Sequence, residues 1–178
     1  EQGSHVFLTG VALDRDENVY TTDEWLNRVS VFDNDGNFLR SWGEAGEGEG
    51  QLNGPSGLAF DQDENLVIVN SLNSRVQTFS KDGKYLSGFG AKGNGDDELD
   101  MPWGIAIDNN GDIYVADGYG ASFVIQFDRH GDYIRHFGGR GKKPEHINQA
   151  HGIAIDGRSG VETVLVSSRE NTCFKRYS

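Results

Sequence analysis

Apolar residues come in short runs, four or five long at most, many of them bounded by Gly, Asn or Asp. Representative runs are Leu66-Val67-Ile68-Val69 and Ile113-Tyr114-Val115-Ala116, and a mixed segment such as Phe38-Leu39-Arg40-Ser41-Trp42 reads as a further strand. They are rich in β-branched and aromatic residues, which suit a pleated, half-buried surface. Turn sequences such as Asn34-Asp35-Gly36-Asn37 separate them, as expected of strands joined by hairpins. No stretch sustains the periodicity of an amphipathic helix. The pattern predicts an all-β chain. A membrane-spanning helix would need about 20 consecutive apolar residues.

The runs repeat. Gly10-Val11-Ala12-Leu13-Asp14 recurs as Gly57-Leu58-Ala59-Phe60-Asp61, Gly104-Ile105-Ala106-Ile107-Asp108 and Gly152-Ile153-Ala154-Ile155-Asp156, at spacings of 47, 47 and 48. A second track keeps the same period: Val29-Ser30-Val31-Phe32, Val76-Gln77-Thr78-Phe79, Val124-Ile125-Gln126-Phe127 and, more weakly, Phe174-Lys175-Arg176-Tyr177. Each unit reads as four short antiparallel strands. That unit, repeated every 40–50 residues or so, is the blade of a β-propeller. The repeats cover 10–43, 57–90, 104–138 and 152–178, and the fourth stops after its third strand. The whole of 1–178 is therefore expected to form one propeller segment. Linkers repeat too, and Leu52, Leu99 and Ile147 share one linker position, an expected anchor between blades.

The unit GxAxD–turn–VYVAD–x–N–R-V-x-V-F–DxxGxFLxxFG resembles the NHL repeat over essentially the whole chain. That resemblance implies a six-bladed ring, of which these repeats would form part. An open propeller would expose strand edges, a route to self-association.

Composition narrows the function. Glycine stands at 25 of 178 with only 3 prolines, an excess that hairpin turns and the inner-strand starts Gly10, Gly57, Gly104 and Gly152 account for. Against 16 basic residues stand 28 acidic ones, a net charge of −12. This disfavours nucleic acid and anionic membrane as partners, since both need a basic face. Cys173 is the only cysteine, which rules out an intrachain disulfide. No basic-then-apolar leader is present, which fits either a cytoplasmic chain or a secreted one whose signal has been removed.

Hairpin geometry gathers the candidate chemistry. The residue before each GxAxD and the loop after each second strand fall at the same end of a blade. The first set is Thr9, Ser56, Trp103 and His151; the loops hold Trp25, Asp117, Tyr119 and Arg169. His151, Tyr119 and Arg169 are expected to converge at the channel mouth, offering a titratable imidazole, a phenol and a permanent cation. The principal expectation is a binding module whose mouth, with Trp25, Trp103, Asp117, Tyr119, His151 and Arg169, receives a protein, peptide or small-molecule ligand.

Asp117-Gly118-Tyr119-Gly120, Ala150-His151-Gly152 and Arg169-Glu170-Asn171 also follow an order similar to that of the peptidyl-α-hydroxyglycine α-amidating lyases. That resemblance implies a zinc-dependent carbon–nitrogen lyase, with His151 a zinc ligand, Tyr119 the catalytic tyrosine and Arg169 a substrate-site arginine. Ser56 occupies the place of a second zinc histidine, and a catalytic zinc needs three protein ligands. The lyase is thus the alternative, incomplete in this chain. Plainer readings sit beside these: Tyr119 packed on Trp103, and Arg169 paired with Glu170. The Asp-x-Asp-x-Asn turns at Asp14, Asp33 and Asp61 lack the Glu and helices of a calcium loop, and read as side chains bonding their own backbone.

Overall fold

The computed structural model describes residues 3–178. Fifteen strands form four antiparallel sheets, with a single 3₁₀ turn at Ser71–Asn73 among the described residues. Sheet one is β1 (Leu8–Leu13), β2 (Val19–Asp23), β3 (Arg28–Phe32) and β4 (Phe38–Trp42). Sheet two is β5 (Pro55–Phe60), β6 (Leu66–Asn70), β7 (Arg75–Phe79) and β8 (Tyr85–Phe89). Sheet three is β9 (Gly104–Ile107), β10 (Ile113–Asp117), β11 (Phe123–Phe127) and β12 (Tyr133–Gly138). Sheet four has three strands, β13 (Ala150–Asp156), β14 (Thr163–Ser168) and β15 (Cys173–Tyr177), and β15 pairs only with β14. Strands follow one another in chain order within each sheet, as in propeller blades. Two compact units result, Glu1–Phe89 and Gly90–Ser178, each a pair of blades.

The second strands of the middle sheets, β6 and β10, are buried on both faces, and within each unit the facing sides of the two sheets are apolar. In the first unit Tyr20, Val29 and Val31 of sheet one meet Leu58, Leu66, Ile68 and Phe79 of sheet two, with Leu52 of the linker among them. In the second unit Tyr114, Ala116 and Val124 of sheet three meet Val164 and Val166 of sheet four, with Ile147 and Ala150. Leu52 and Ile147 pack between sheets as expected of anchors. Leu52, Leu99 and Ile147 are fully buried. Each makes a parallel bridge to the start of its own linker, at Ala45, Lys92 and Arg140.

Hairpin turns also behave as read. Asp14 Oδ1 accepts the N–H groups of Asp16 and Asn18, and the same geometry recurs at Asp33, Asp61, Asp108 and Asp128. The inner-strand glycine has a cause beyond its place at a strand start. Gly104 has ordinary φ, but a Cβ there would lie 2.3 Å from the His151 carbonyl oxygen, and one on Gly10 would lie 2.4 Å from that of Ser56. Glycine is thus required by close approach of neighbouring inner strands. Conversely, Glu17 and Glu64 hold φ of 63° where the equivalent turn position of the third blade is Gly111.

Two outcomes follow for stability. Ile147→Ala should cost about 2–5 kcal/mol in chemical denaturation, because the cavity lies between two sheets that cannot close on it. Glu17→Gly should instead raise stability by roughly 0.5–1 kcal/mol, since it relieves a left-handed backbone at an exposed turn. A denaturation midpoint that falls in the glycine variant would refute the second.

Candidate functional site

Every blade must satisfy the backbone of the linker that enters it, and each does so with the last residue of its second strand. Asp23 accepts the N–H groups of Val6, Phe7, Trp25 and Leu26 at 2.6–3.2 Å. Asn70 accepts from Asn53 N–H at 2.7 Å and donates to the Gln51 carbonyl at 2.9 Å. Asp117 accepts from Asp100 N–H at 2.9 Å and, through its other oxygen, from Ala121 N–H at 3.3 Å. Ser168 Oγ accepts from Asn148 N–H at 2.9 Å. Positions 23, 70, 117 and 168 therefore hold the incoming segment, and at 23 and 117 the carboxylate also receives an N–H of the following loop, a role that the strand pattern did not disclose.

On this frame the second unit gathers four of the sequence candidates. β13 carries a register shift between Ala150 and Ile153, a bulge that re-aims the intervening His151. Trp103 enters just before β9, held by its N–H to the Ala116 carbonyl at 2.8 Å. Tyr119 lies in the Gly118–Ala121 loop. A Cβ on Gly118 would lie 1.7 Å from the Ala150 carbonyl oxygen, so the loop rests directly on the strand that carries His151. The ring centroids of Trp103 and His151 are 4.8 Å apart, those of Trp103 and Tyr119 5.6 Å, and those of Tyr119 and His151 6.0 Å. Arg169 donates from Nη1 to the Tyr119 hydroxyl at 3.2 Å. The plain reading of Tyr119 on Trp103 therefore holds alongside the convergence, whereas Arg169 turns to Tyr119 and not to Glu170. Among the described residues Arg169 has no ion-pair partner.

The other two candidates lie elsewhere. Asp117 is 2% exposed and commits its carboxylate to backbone. Trp25, in the first unit, is 65% exposed and stacks on Phe7 with centroids 5.6 Å apart. In the first unit Thr9 Oγ1 donates to the Pro55 carbonyl and Ser56 Oγ bonds Ser71 Oγ, so both hydroxyls are engaged locally.

Electrostatics separate the groups. Burial, and then the Arg169 charge, lower the His151 pKa, so its imidazole is neutral at pH 7. Burial pushes the Asp117 carboxyl up to about 6; the two backbone N–H bonds oppose this, and the Asp100 charge adds to it. Asp23 contrasts: burial works against its charge, but four backbone N–H groups outweigh it and hold the carboxyl below its usual range. Zinc fits poorly here. His151 is the lone imidazole of the cluster, and among the described residues no three His, Cys, Asp or Glu side chains gather as a metal would require.

Comparison with known proteins agrees with this architecture. The family model for the NHL repeat matches residues 99–127, from the Leu99 anchor through β11. No curated protein sequence matches. Among solved structures, a catalytically inactive H270A virginiamycin B lyase from Staphylococcus aureus with quinupristin superposes with TM-score 0.66 at 16% identity, over 96% of this chain and 55% of that one. A gluconolactonase from Xanthomonas campestris gives TM-score 0.68 at 18% identity, over 98% and 58%. A protein of unknown function from Bacteroides thetaiotaomicron gives TM-score 0.76 at 18% identity, over 96% and 47%. The fold is an NHL-type β-propeller. The chain spans about half the length of these structures.

Two outcomes test the electrostatics. Arg169→Gln should raise the His151 titration midpoint, followed by imidazole NMR, because the remaining positive charge near it is removed. For Asp117 the folded-state pKa exceeds the unfolded one, so its contribution to stability is full below pH 4 and is lost as pH rises through 6. Asp117→Asn should therefore stabilise by up to about 3 kcal/mol at pH 8 and by much less at pH 4.5, measured by urea denaturation.

Proposed function

We propose that the chain acts as a recognition module whose site is the Trp103–Tyr119–His151–Arg169 cluster, and that its ligand is a peptide or small molecule bearing a carboxylate or similar anion beside an apolar or planar group. One observation carries this reading: two loops and the bulged start of β13, from two blades, place three aromatic rings within 6.0 Å of one another beside a guanidinium with no acidic partner among the described residues. In a chain of net charge −12, an arginine left without a carboxylate beside it retains its full capacity to bind an anion. Aromatic walls add contact area at little entropic cost, and the neutral imidazole can donate or accept one hydrogen bond.

A zinc-dependent lyase resembling the amidating lyases is the second reading, supported by the positions of Tyr119, His151 and Arg169. It would need two further ligands from outside the described residues. If a metal bound at His151, it would supply Lewis acidity, and Tyr119 and Arg169 would orient substrate beside it.

Trp103→Ala and Arg169→Gln test the first reading against a panel of aromatic and aliphatic carboxylates and acidic peptides, titrated by calorimetry. Both variants should weaken a confirmed ligand by about tenfold or more, the loss of one charge-assisted bond or one stacked ring. Tyr119→Phe should weaken it less. Unchanged affinity in both would remove this face as the site. Metal analysis of the purified chain addresses the second reading: stoichiometric zinc that is lost in His151→Ala would favour it.

A further inference from the structure

The linker loops share one backbone arrangement, and side chains of the blade that follows hold them. Gly46 N–H donates to the Leu52 carbonyl at 3.0 Å and Gly93 N–H to that of Leu99 at 3.1 Å, and the bridges at Leu52, Leu99 and Ile147 close the loops alike. In the loop before β5, Asn73 donates to the Gly46 carbonyl at 2.9 Å and the Arg75 guanidinium to that of Gly48. Asn70 and Gln77 both donate to the Gln51 carbonyl at 2.9 Å. In the loop before β13, Asn171 donates to the Gly141 carbonyl at 2.8 Å and the Lys175 ammonium to that of Lys143 at 3.4 Å. Each of these two loops thus receives an amide and one cation from its own blade, on equivalent carbonyls.

The loop before β9 differs. Its equivalent carbonyls belong to Gly93, Gly95 and Glu98. Where the second blade has Asn70, Asn73, Arg75 and Gln77, the third has Asp117, Ala121, Phe123 and Ile125, and none of these side chains carries a donor while Asp117 is ionised. Among the described residues no side chain donates to the Gly93, Gly95 or Glu98 carbonyl; that of Gly95 receives only the Glu98 N–H, at 3.2 Å. These residues line one cavity of about 40 Å³, with Phe123, Ile125 and His136 as further walls. Asp117 lines it as well, 2% exposed, with two backbone N–H groups as partners and no cation. The other charged groups at its rim are engaged elsewhere. Glu98 turns its carboxylate to Gly95 N–H at 2.7 Å, and His136 bonds the Tyr133 hydroxyl at 2.9 Å and lies 3.7 Å from the exposed Asp96.

We propose that this cavity binds one monovalent cation of the potassium class, held by the Gly93, Gly95 and Glu98 carbonyls and the Asp117 carboxylate, in the role that Arg75 and Lys175 fill in the second and fourth blades. Rings of carbonyl oxygens replace the hydration shell of such ions. A cavity of this size admits a single small ion. The sister loops each use one positive charge, and one carboxylate among three neutral carbonyls matches a single charge better than the several carboxylates usual around calcium. Oxygen donors from backbone also separate this site from any zinc at His151, which would need nitrogen or sulfur. The cation braces the linker that runs on to Asp100 and Trp103, whichever reading of the cluster holds.

NMR titration of the full chain with KCl tests it, at an ionic strength held constant with tetramethylammonium chloride, whose cation is too large for the cavity. Amide resonances of 93–99 should shift saturably in the wild type, while those of 46–52, whose carbonyls already have donors, should not. Asp117→Asn should weaken potassium about tenfold or more, the loss of the one anionic ligand. Phe123→Arg supplies an internal cation of the Arg75 kind and should abolish the potassium response while keeping the amide dispersion of a folded chain; should that variant fail to fold, the wild-type and Asp117→Asn titrations decide. Potassium should also narrow the stability gain of Asp117→Asn at pH 8, since it relieves the same buried charge. No saturable shift in the wild type, the result for a cavity that holds water only, would overturn the proposal. Equal shifts at 46–52, or unchanged affinity in Asp117→Asn, would do the same. Tighter binding of calcium than of potassium would overturn the assignment to a monovalent ion.

Discussion

The structure depends on one constraint: a blade of this kind is apolar on both faces, and the chain must leave one sheet and enter the next without exposing that surface or stranding its backbone. Sheet pairing satisfies the backbone within a blade. In the linkers no ladder is available, and a buried unpaired N–H costs as much as a lost hydrogen bond. The solution is repeated in each blade. Within each unit a buried Leu or Ile fills the seam between the two sheets, at Leu52 and Ile147, and in every blade the last residue of the second strand receives an N–H of the segment that enters it.

That latch also determines where chemistry can occur. It stands where a second strand ends and a loop begins, and in the first and third blades the same carboxylate holds both the incoming segment and the loop that follows. In the third blade the loop carries Tyr119, and in the fourth the neighbouring bulge presents His151. The Trp103–Tyr119–His151–Arg169 cluster is thus a by-product of linker support, built on backbone contacts as close as Gly118 on Ala150. The latch varies by blade among Asp, Asn, Asp and Ser, and only Asp117 carries a charge that its surroundings oppose. A group that destabilises where a neutral amide would serve is the kind of local conflict expected at functional positions.

Much of this was legible in the chain itself. Two motif tracks at one period disclosed the strands, their order and the four blades, and the linker spacing located the three anchors. Convergence of His151, Tyr119 and Arg169 was expected from hairpin geometry, since strand starts and strand ends share an end of the blade, and the packing of Tyr119 on Trp103 was the plain reading beside it. Other features were not legible. Asp117 stood in the same motif as Tyr119, and the pattern could not show that its side chain turns inward to backbone while Tyr119 turns out. The contrast lay in the sequence as the series Asp23, Asn70, Asp117, Ser168, whose members have in common only the capacity to accept a hydrogen bond. Of the two readings of Arg169, convergence on Tyr119 and pairing with Glu170, the hydrogen bond to the Tyr119 hydroxyl from the neighbouring blade favours the first.

Sequence by itself determined the secondary structure, the blade count and the ends at which candidate residues meet, because strand periodicity and turn chemistry are local and the repeat supplies their order. Only the tertiary structure decided which side chains are spent on holding the chain together and which remain available. That division depends on distances between backbones of successive blades, a few ångströms at Gly104 and Gly118. No local pattern encodes those distances, since they arise from the stacking of one sheet on the next.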